Sequence, residues 1–156
     1  MIHALPPDPP PIIGEAIAVD GDTIEIGGQR IRLWGIDAPE GRQSCTRDGE
    51  PWDCGQVATF HVVQMIMDRE VKCEPVGRPD RYRRIVARCS VKWEPDGGAA
   101  GWEWADLNRQ IVRNGWAMDY ARYSGGEYRA DEALAREARA GLWAGEFQMP
   151  WEWRAR

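Results

Sequence analysis

Apolar and polar positions alternate along the first third of the chain. Glu15 to Val19 is short and mostly apolar, Asp20-Gly21-Asp22 supplies turn chemistry, and Thr23 to Ile26 follows as the second arm of a hairpin. Gly27-Gly28 makes another tight turn into Gln29 to Trp34, where Ile31 and Leu33 alternate with Arg30 and Arg32. Successive strand residues point to opposite faces, so this alternation predicts three meandering strands with Arg32 turned away from the apolar face. Asp37 to Cys54 is rich in Gly, Pro and charge and predicts a long loop, a feature that is often functional in a compact domain. Over Gly55 to Asp68 the apolar residues Val57, Ala58, Phe60, Val62, Met65 and Ile66 recur at helical spacing. Glu70 to Glu74 and Ile85 to Val91 predict two more strands bracketing an arginine-rich loop, Arg78 to Arg84. Lys92 to Gly101 predicts a loop with its turn at Pro95-Asp96-Gly97-Gly98. A helix over Asp106 to Asn114 stops at Gly115; a third spans Arg129 to Ala140, with Ala130, Ala133, Leu134 and Ala138 on its inner stripe and Gly141 beyond its end.

Three strands, a helix, two strands and two helices predict an α+β fold, a five-stranded OB-like Greek-key barrel with three helices. A length of 156 residues suits one domain of about 100 to 200 residues. The expected organisation is a flexible Pro-rich segment over 1–13, the barrel domain over 14–145 and a Trp-rich tail over 146–156. Met1 to Pro11 lacks a basic start and a long apolar stretch, so it is not read as a signal peptide; export would require a leader already removed, and a cytoplasmic location is the less favoured alternative. No apolar run approaches the roughly 18 residues of a membrane span.

Charge narrows the function classes. A net charge of −5 argues against a protein that coats nucleic acid non-specifically, but leaves room for an enzyme that must release a polyanionic product. Only Lys72 and Lys92 are lysines among 20 cationic side chains; arginine is the better fork for phosphate, but GC-rich codon usage gives the same skew and is the preferred explanation of this bias taken alone. The four cysteines, Cys45, Cys54, Cys73 and Cys89, form no Cys-x-x-Cys, and His3 and His61 are the only histidines, which disfavours a zinc site. An even count with each pair flanking a local loop or hairpin leaves two readings: disulfides Cys45–Cys54 and Cys73–Cys89 in an oxidising compartment, the one preferred here, or four reduced, partly buried thiols.

The densest chemistry lies between Asp20 and Glu40. Asp22 ends a turn, Arg32 sits on the third strand, and Asp37 and Glu40 open the loop after it, so a meander can place three carboxylates and a guanidinium on one barrel rim. Two aspartates and a carbonyl would make an open site for a hard divalent cation. Taken singly, each fragment is better explained by turn or capping chemistry, which selects these same residues.

Val19-Asp20-Gly21-Asp22-Thr23, then Ile31-Arg32-Leu33-Trp34-Gly35-Ile36-Asp37-Ala38-Pro39-Glu40, then Asp80-Arg81-Tyr82-Arg83-Arg84 together resemble the motif series of the staphylococcal nuclease (thermonuclease) family. Asn114-Gly115-Trp116-Ala117 and Gly141-Leu142-Trp143 resemble its later helix ends, and the likeness runs from about Glu15 to Trp143 in order. The resemblance implies an OB-fold phosphodiesterase that uses Ca²⁺. It implies that Asp22, Asp37 and the carbonyl of Ala38 ligate the cation, that Glu40 is the general base, and that Arg32 and Arg84 hold the scissile phosphate. Ala38 replaces a threonine of the staphylococcal enzyme. Arg83 replaces a common glycine and competes with Arg84 for the phosphate; the motif count favours Arg84. Arg81, Tyr82 and Tyr123 are implied substrate contacts, although Ala121 replaces the first member of a Tyr-x-Tyr pair. Trp102, Trp104, Trp151 and Trp153 are expected to pack against the barrel and the tail.

The resulting expectation is a monomeric, secreted or periplasmic nuclease acting on DNA and RNA, with single strands preferred. Cleavage of the P–O5′ bond, leaving a 3′-phosphate, follows from the resemblance alone. The alternative is a catalytically silent OB module that binds nucleic acid or a protein.

Overall fold

Sixteen short elements build a barrel and its surroundings in a computed structural model that describes residues 8–94 and 103–156. The turn expected at Pro95-Asp96-Gly97-Gly98 and the side chain of Trp102 lie outside the described residues. The meander is β1 (Ile12–Asp20), β2 (Thr23–Ile26) and β3 (Gln29–Leu33), and β4 (Ile36–Asp37) follows one turn later. A small hairpin, β5 (Cys45–Arg47) and β6 (Glu50–Trp52), leads into α1 (Cys54–Ile66). Then come β7 (Glu70–Pro75), β8 (Ile85–Trp93), β9 (Glu103–Asp106) and α2 (Leu107–Arg113). The last part holds β10 (Met118–Asp119), α3 (Ala121–Ser124), α4 (Arg129–Glu137), a 3₁₀ turn at Gly141–Ala144 and α5 (Pro150–Arg154).

The strand order β3-β2-β1-β7-β8-β9, with an additional parallel pairing of β3 to β8, closes β1, β2, β3, β7 and β8 into a five-stranded barrel. This is the expected OB-like α+β fold. Its interior is set by the alternation noted above: Ile24, Ile31, Leu33, Val71, Ala87 and Cys89 are buried, whereas Arg30 is exposed and Arg32 half-buried on the opposite side of β3. Helix α1 lays Ala58, Val62 and Ile66, one turn apart, against this core. Asn108 on α2 ties the outer layer down, donating to the Trp34 carbonyl at 2.9 Å and accepting from the Cys89 amide at 3.0 Å.

Several expectations need correction. The helix expected to reach Asp68 ends at Ile66, because Asp68 turns the chain through a left-handed φ of 57°. The helix expected to reach Ala140 ends at Glu137 for the same reason, with Arg139 at φ 52°. Its buried face is Asp131 and Ala135, leaving Leu134 exposed, because Asp131 pairs with Arg109 of α2. Asp106 is not the first helical residue of α2 but its cap, accepting the Arg109 amide at 3.0 Å. The loop over 37–54 contains β4 and the β5–β6 hairpin, and among the described residues five α-helices stand where three were expected.

Both cysteine pairs are disulfides. Cys45–Cys54 joins the small hairpin to the first residue of α1, and Cys73–Cys89 links directly opposed residues of β7 and β8 inside the barrel. Closing a loop with a sequence separation of 16 stabilises the fold by about 3 kcal/mol in the chain-entropy treatment. Replacing Cys73 and Cys89 together by alanine is therefore expected to lower the unfolding free energy by about 3 kcal/mol in urea titration; an unchanged midpoint would contradict a formed bond.

Candidate active site

The rim of the barrel is assembled by close backbone contacts. The β1–β2 register shifts between Ala18 and Asp20, just before the Asp20-Gly21-Asp22 turn, and the Leu33 amide donates to the Asp22 carbonyl at 2.8 Å. A Cβ on Gly21 would lie 2.6 Å from that of Ala38, so glycine lets the turn press against the Asp37-Ala38 segment. β4 is held from the far side by β10, where Met118 pairs with Asp37. The next turn is fixed by Gly55: a Cβ there would fall 1.8 Å from the Glu40 carbonyl oxygen, so only glycine lets the start of α1 back onto that loop.

These constraints bring the acidic trio together around guanidinium groups. Asp22 Oδ2 accepts the Ala38 amide at 2.9 Å, and Asp22 Oδ1 accepts the Thr23 hydroxyl at 3.3 Å. Arg32 lies between two carboxylates, with Nη1 3.5 Å from Asp22 Oδ2 and Nη2 3.6 Å from Asp37 Oδ1. Both distances exceed hydrogen-bond length, and Arg32 spends one donor on the Leu33 carbonyl at 2.9 Å. Arg84 reaches the same rim from the other side, donating from Nη1 to Thr23 Oγ1 at 3.2 Å.

Arg154, which sequence reasoning missed, completes the group. It donates from Nη1 to Asp37 Oδ1 and to Glu40 Oε1, both at 2.9 Å, and from Nη2 to Asp37 Oδ2 at 2.6 Å. An unbroken chain of contacts thus runs Glu40–Arg154–Asp37–Arg32–Asp22–Thr23–Arg84. Gln43 was missed as well. Buried at the base of the loop, it accepts the Glu40 amide at 3.3 Å and donates to the Gln148 carbonyl at 2.8 Å.

The electrostatics follow from burial of several acids in one place. Burial, together with the neighbouring Asp22, pushes the Asp20 carboxyl up to about 7. Burial likewise raises Asp37, with Asp22 adding to the effect and the Arg154 and Arg32 guanidiniums opposing it. Burial also disfavours ionised Asp22, but the Arg32 charge and hydrogen bonds from Asp20, Ala38 and Thr23 outweigh it and hold this carboxyl below the usual range.

The donor set suits a hard cation. Asp22 and Asp37 offer carboxylate oxygens, and waters or a peptide carbonyl can complete an open oxygen shell. No group of three or more His, Cys, Asp or Glu among the described residues is arranged as a metal cage. The fit thus rests on the two buried aspartates.

The arginine-rich loop explains which arginine faces the rim. Asp80 Oδ1 accepts the amides of Tyr82 and Arg84, each at 2.9 Å, and Oδ2 accepts Arg84 Nε at 2.8 Å. Arg83 takes a left-handed φ of 64°, a conformation glycine adopts more readily, and remains exposed. Tyr82 is 64% exposed, with the Arg81 and Arg84 guanidiniums 4.9 and 5.4 Å from its ring centre. Tyr123 is exposed and packs edge-on against Tyr120, whose amide donates to the Gly35 carbonyl beside β4 at 2.8 Å. Trp151 stacks flat on Tyr120, while Trp104 is 38% exposed beneath Lys72.

A model of the family described as staphylococcal nuclease homologue matches residues 30–145, and the chain belongs to that family. Of the contact chain above, Asp22, Thr23 and Arg154 fall outside the matched span. The chain is 36% identical over 135 residues to the succinoglycan biosynthesis protein ExoI of Rhizobium meliloti (strain 1021), covering 85% of this chain and 65% of that protein. It is 34% identical over 134 residues to probable endonuclease LCL3 of Saccharomyces cerevisiae (strain RM11-1a), covering 81% of this chain and 45% of the relative. Against probable endonuclease LCL3 of Verticillium alfalfae (strain VaMs.102 / ATCC MYA-4576 / FGSC 10136) the identity is 34% over 146 residues, covering 87% and 45%. The chain spans about half to two thirds of the length of these relatives.

The Asp80 clamp is directly measurable. Hydrogen bonds to Arg84 and Tyr82 and the Arg84 charge overcome its slight burial and hold its carboxyl below the ordinary 3.8. Because the folded value is depressed, this contribution to stability is fully present above about pH 4 and is lost only as pH falls through the folded value. Titrating the Asp80 carboxyl carbon by NMR is expected to give a midpoint below 3.8, and Asp80→Ala to speed amide exchange at Tyr82 and Arg84. A midpoint at or above 3.8 would contradict the clamp.

Proposed function

We propose that the chain hydrolyses phosphodiester bonds in nucleic acid with the help of a divalent cation. The observation that carries this reading is Arg32 lying between Asp22 and Asp37 while Arg84 reaches Thr23 on the same rim. A cation held by Asp22 and Asp37, with the Ala38 carbonyl as a third protein ligand, would supply Lewis-acid charge to the phosphate. The family resemblance supports Ca²⁺ as that cation, and the all-oxygen ligands suit a hard ion.

The chain's own groups carry the remaining work. Arg32 and Arg84 present fixed guanidinium donors where charge grows on the phosphoryl oxygens during attack by water. Glu40 accepts the proton of the attacking water, and the Gln43 contact at its amide fixes the loop from which it acts. Tyr82, beside Arg81, offers an exposed ring on which an unpaired base can stack; Tyr123 offers a second. Unpaired bases expose those faces, so single-stranded DNA and RNA are the preferred substrates in this reading. The family resemblance supports cleavage of P–O5′ with a 3′-phosphate product. The two disulfides support action in an oxidising compartment outside the cytoplasm, secreted or periplasmic. We further propose that the chain acts as a monomer.

A silent binding module is the second reading, and the Arg154 fork across Asp37 and Glu40 favours it. A nuclease assay on single-stranded DNA and RNA separates the two. Hydrolysis with added Ca²⁺ that stops with a chelator is expected. Glu40→Gln is expected to cost about 10²–10⁴-fold and Arg84→Ala about 10²–10³-fold in kcat. Nucleic-acid binding without cleavage across a range of divalent ions would overturn the hydrolase reading, and full activity in the Glu40→Gln, Arg84→Ala double variant would overturn the roles given to these two residues.

A further inference from the structure

The C-terminal residues place a third guanidinium where a cation would have to bind. Both Asp37 carboxylate oxygens accept from Arg154, which also spans to Glu40. This is a bidentate fork on a residue with no solvent exposure.

The fork is built rather than casual. Trp151, one helical turn before Arg154, lies on Tyr120 with ring centres 5.4 Å apart and planes 4° from parallel. Tyr120 in turn follows the β10–β4 pairing that braces Asp37. The segment leading into α5 is tied twice, by the Gln43 bond to the Gln148 carbonyl and by the pairing of Glu146 with Thr46. Pro150, at the first position of α5, is buried. Backbone, aromatic stack and guanidinium therefore converge on one carboxylate.

A guanidinium and a divalent ion need the same Asp37 lone pairs, and two cations that close repel each other. We propose that Arg154 is a tethered competitor of the divalent cation: α5 is a latch that must release Asp37 before the ion binds, and the latch thereby weakens the ion's apparent affinity. The inference rests on the reading of Asp22 and Asp37 as cation ligands. Its size follows from population: a latch closed in about ten of eleven molecules raises the apparent Kd about elevenfold. The partial exposure of Arg154 keeps the effect near that scale rather than orders above it.

Calorimetric titration of the full chain with Ca²⁺ tests the latch without relying on activity. Arg154→Ala is expected to bind Ca²⁺ about tenfold more tightly than the unaltered protein. Trp151→Ala, which removes the stack and keeps the guanidinium, is expected to shift affinity in the same direction. In the unaltered protein, added Ca²⁺ is expected to move the NMR signals of the Arg154 guanidinium. Equal or weaker binding by Arg154→Ala, with binding abolished by Asp37→Ala, would end the latch and leave the cation site standing. Unmoved Arg154 signals at saturating Ca²⁺ would end it equally, with no altered protein involved. Absence of Ca²⁺ binding in every form would instead refute the cation site, and the latch with it.

Discussion

Carboxylates crowded at the mouth of a barrel must be neutralised, and that requirement organises the rest of this molecule. Asp37 is fully buried and Asp22 nearly so, with Asp20 beside them, so leaving them unpaired would cost several kcal/mol per ion. Arg32 answers from the outward face of β3 and Arg154 from the last helix, while burial beside Asp22 pushes the Asp20 carboxyl up to about 7. Such a site is held open for positive charge by geometry, because glycine at 21 and at 55 lets two loops approach more closely than any side chain would allow.

The same architecture divides labour between rigid and local supports. Arg32 is carried by β3, whose neighbours Ile31 and Leu33 are locked in the core. Arg84 belongs to a loop and owes its direction to a single carboxylate, Asp80, that gathers two amides and the guanidinium. A disulfide between opposed strands and another at the start of α1 hold the frame on which both depend.

The barrel was legible in the sequence because its strands alternate cleanly and its turns are spelled by glycine and aspartate. Arg32 was legible for the same reason, flanked by two core residues on one strand. The inner face of α4 was not, since its alanines fit either side of a helix and the partner that buries Asp131 lies on α2. Arg83 and Arg84 are adjacent arginines whose difference is one of conformation: a left-handed backbone at one, a carboxylate clamp at the other. Arg154 had no local signal at all. It sits 117 residues from Asp37 in a short segment without periodicity, and only the converging contacts of Trp151 and the Gln148 carbonyl deliver it.

The central claim is that Asp22 and Asp37 jointly bind a cation beside two phosphate-facing arginines. Anomalous diffraction from crystals grown with Mn²⁺ or Ca²⁺ and a short oligonucleotide examines it most directly. The account predicts one peak within coordination distance of both carboxylates, about 2.3–2.6 Å for Ca²⁺, with Arg32 and Arg84 on the adjacent phosphate. A peak elsewhere, or none at saturating ion, would contradict it.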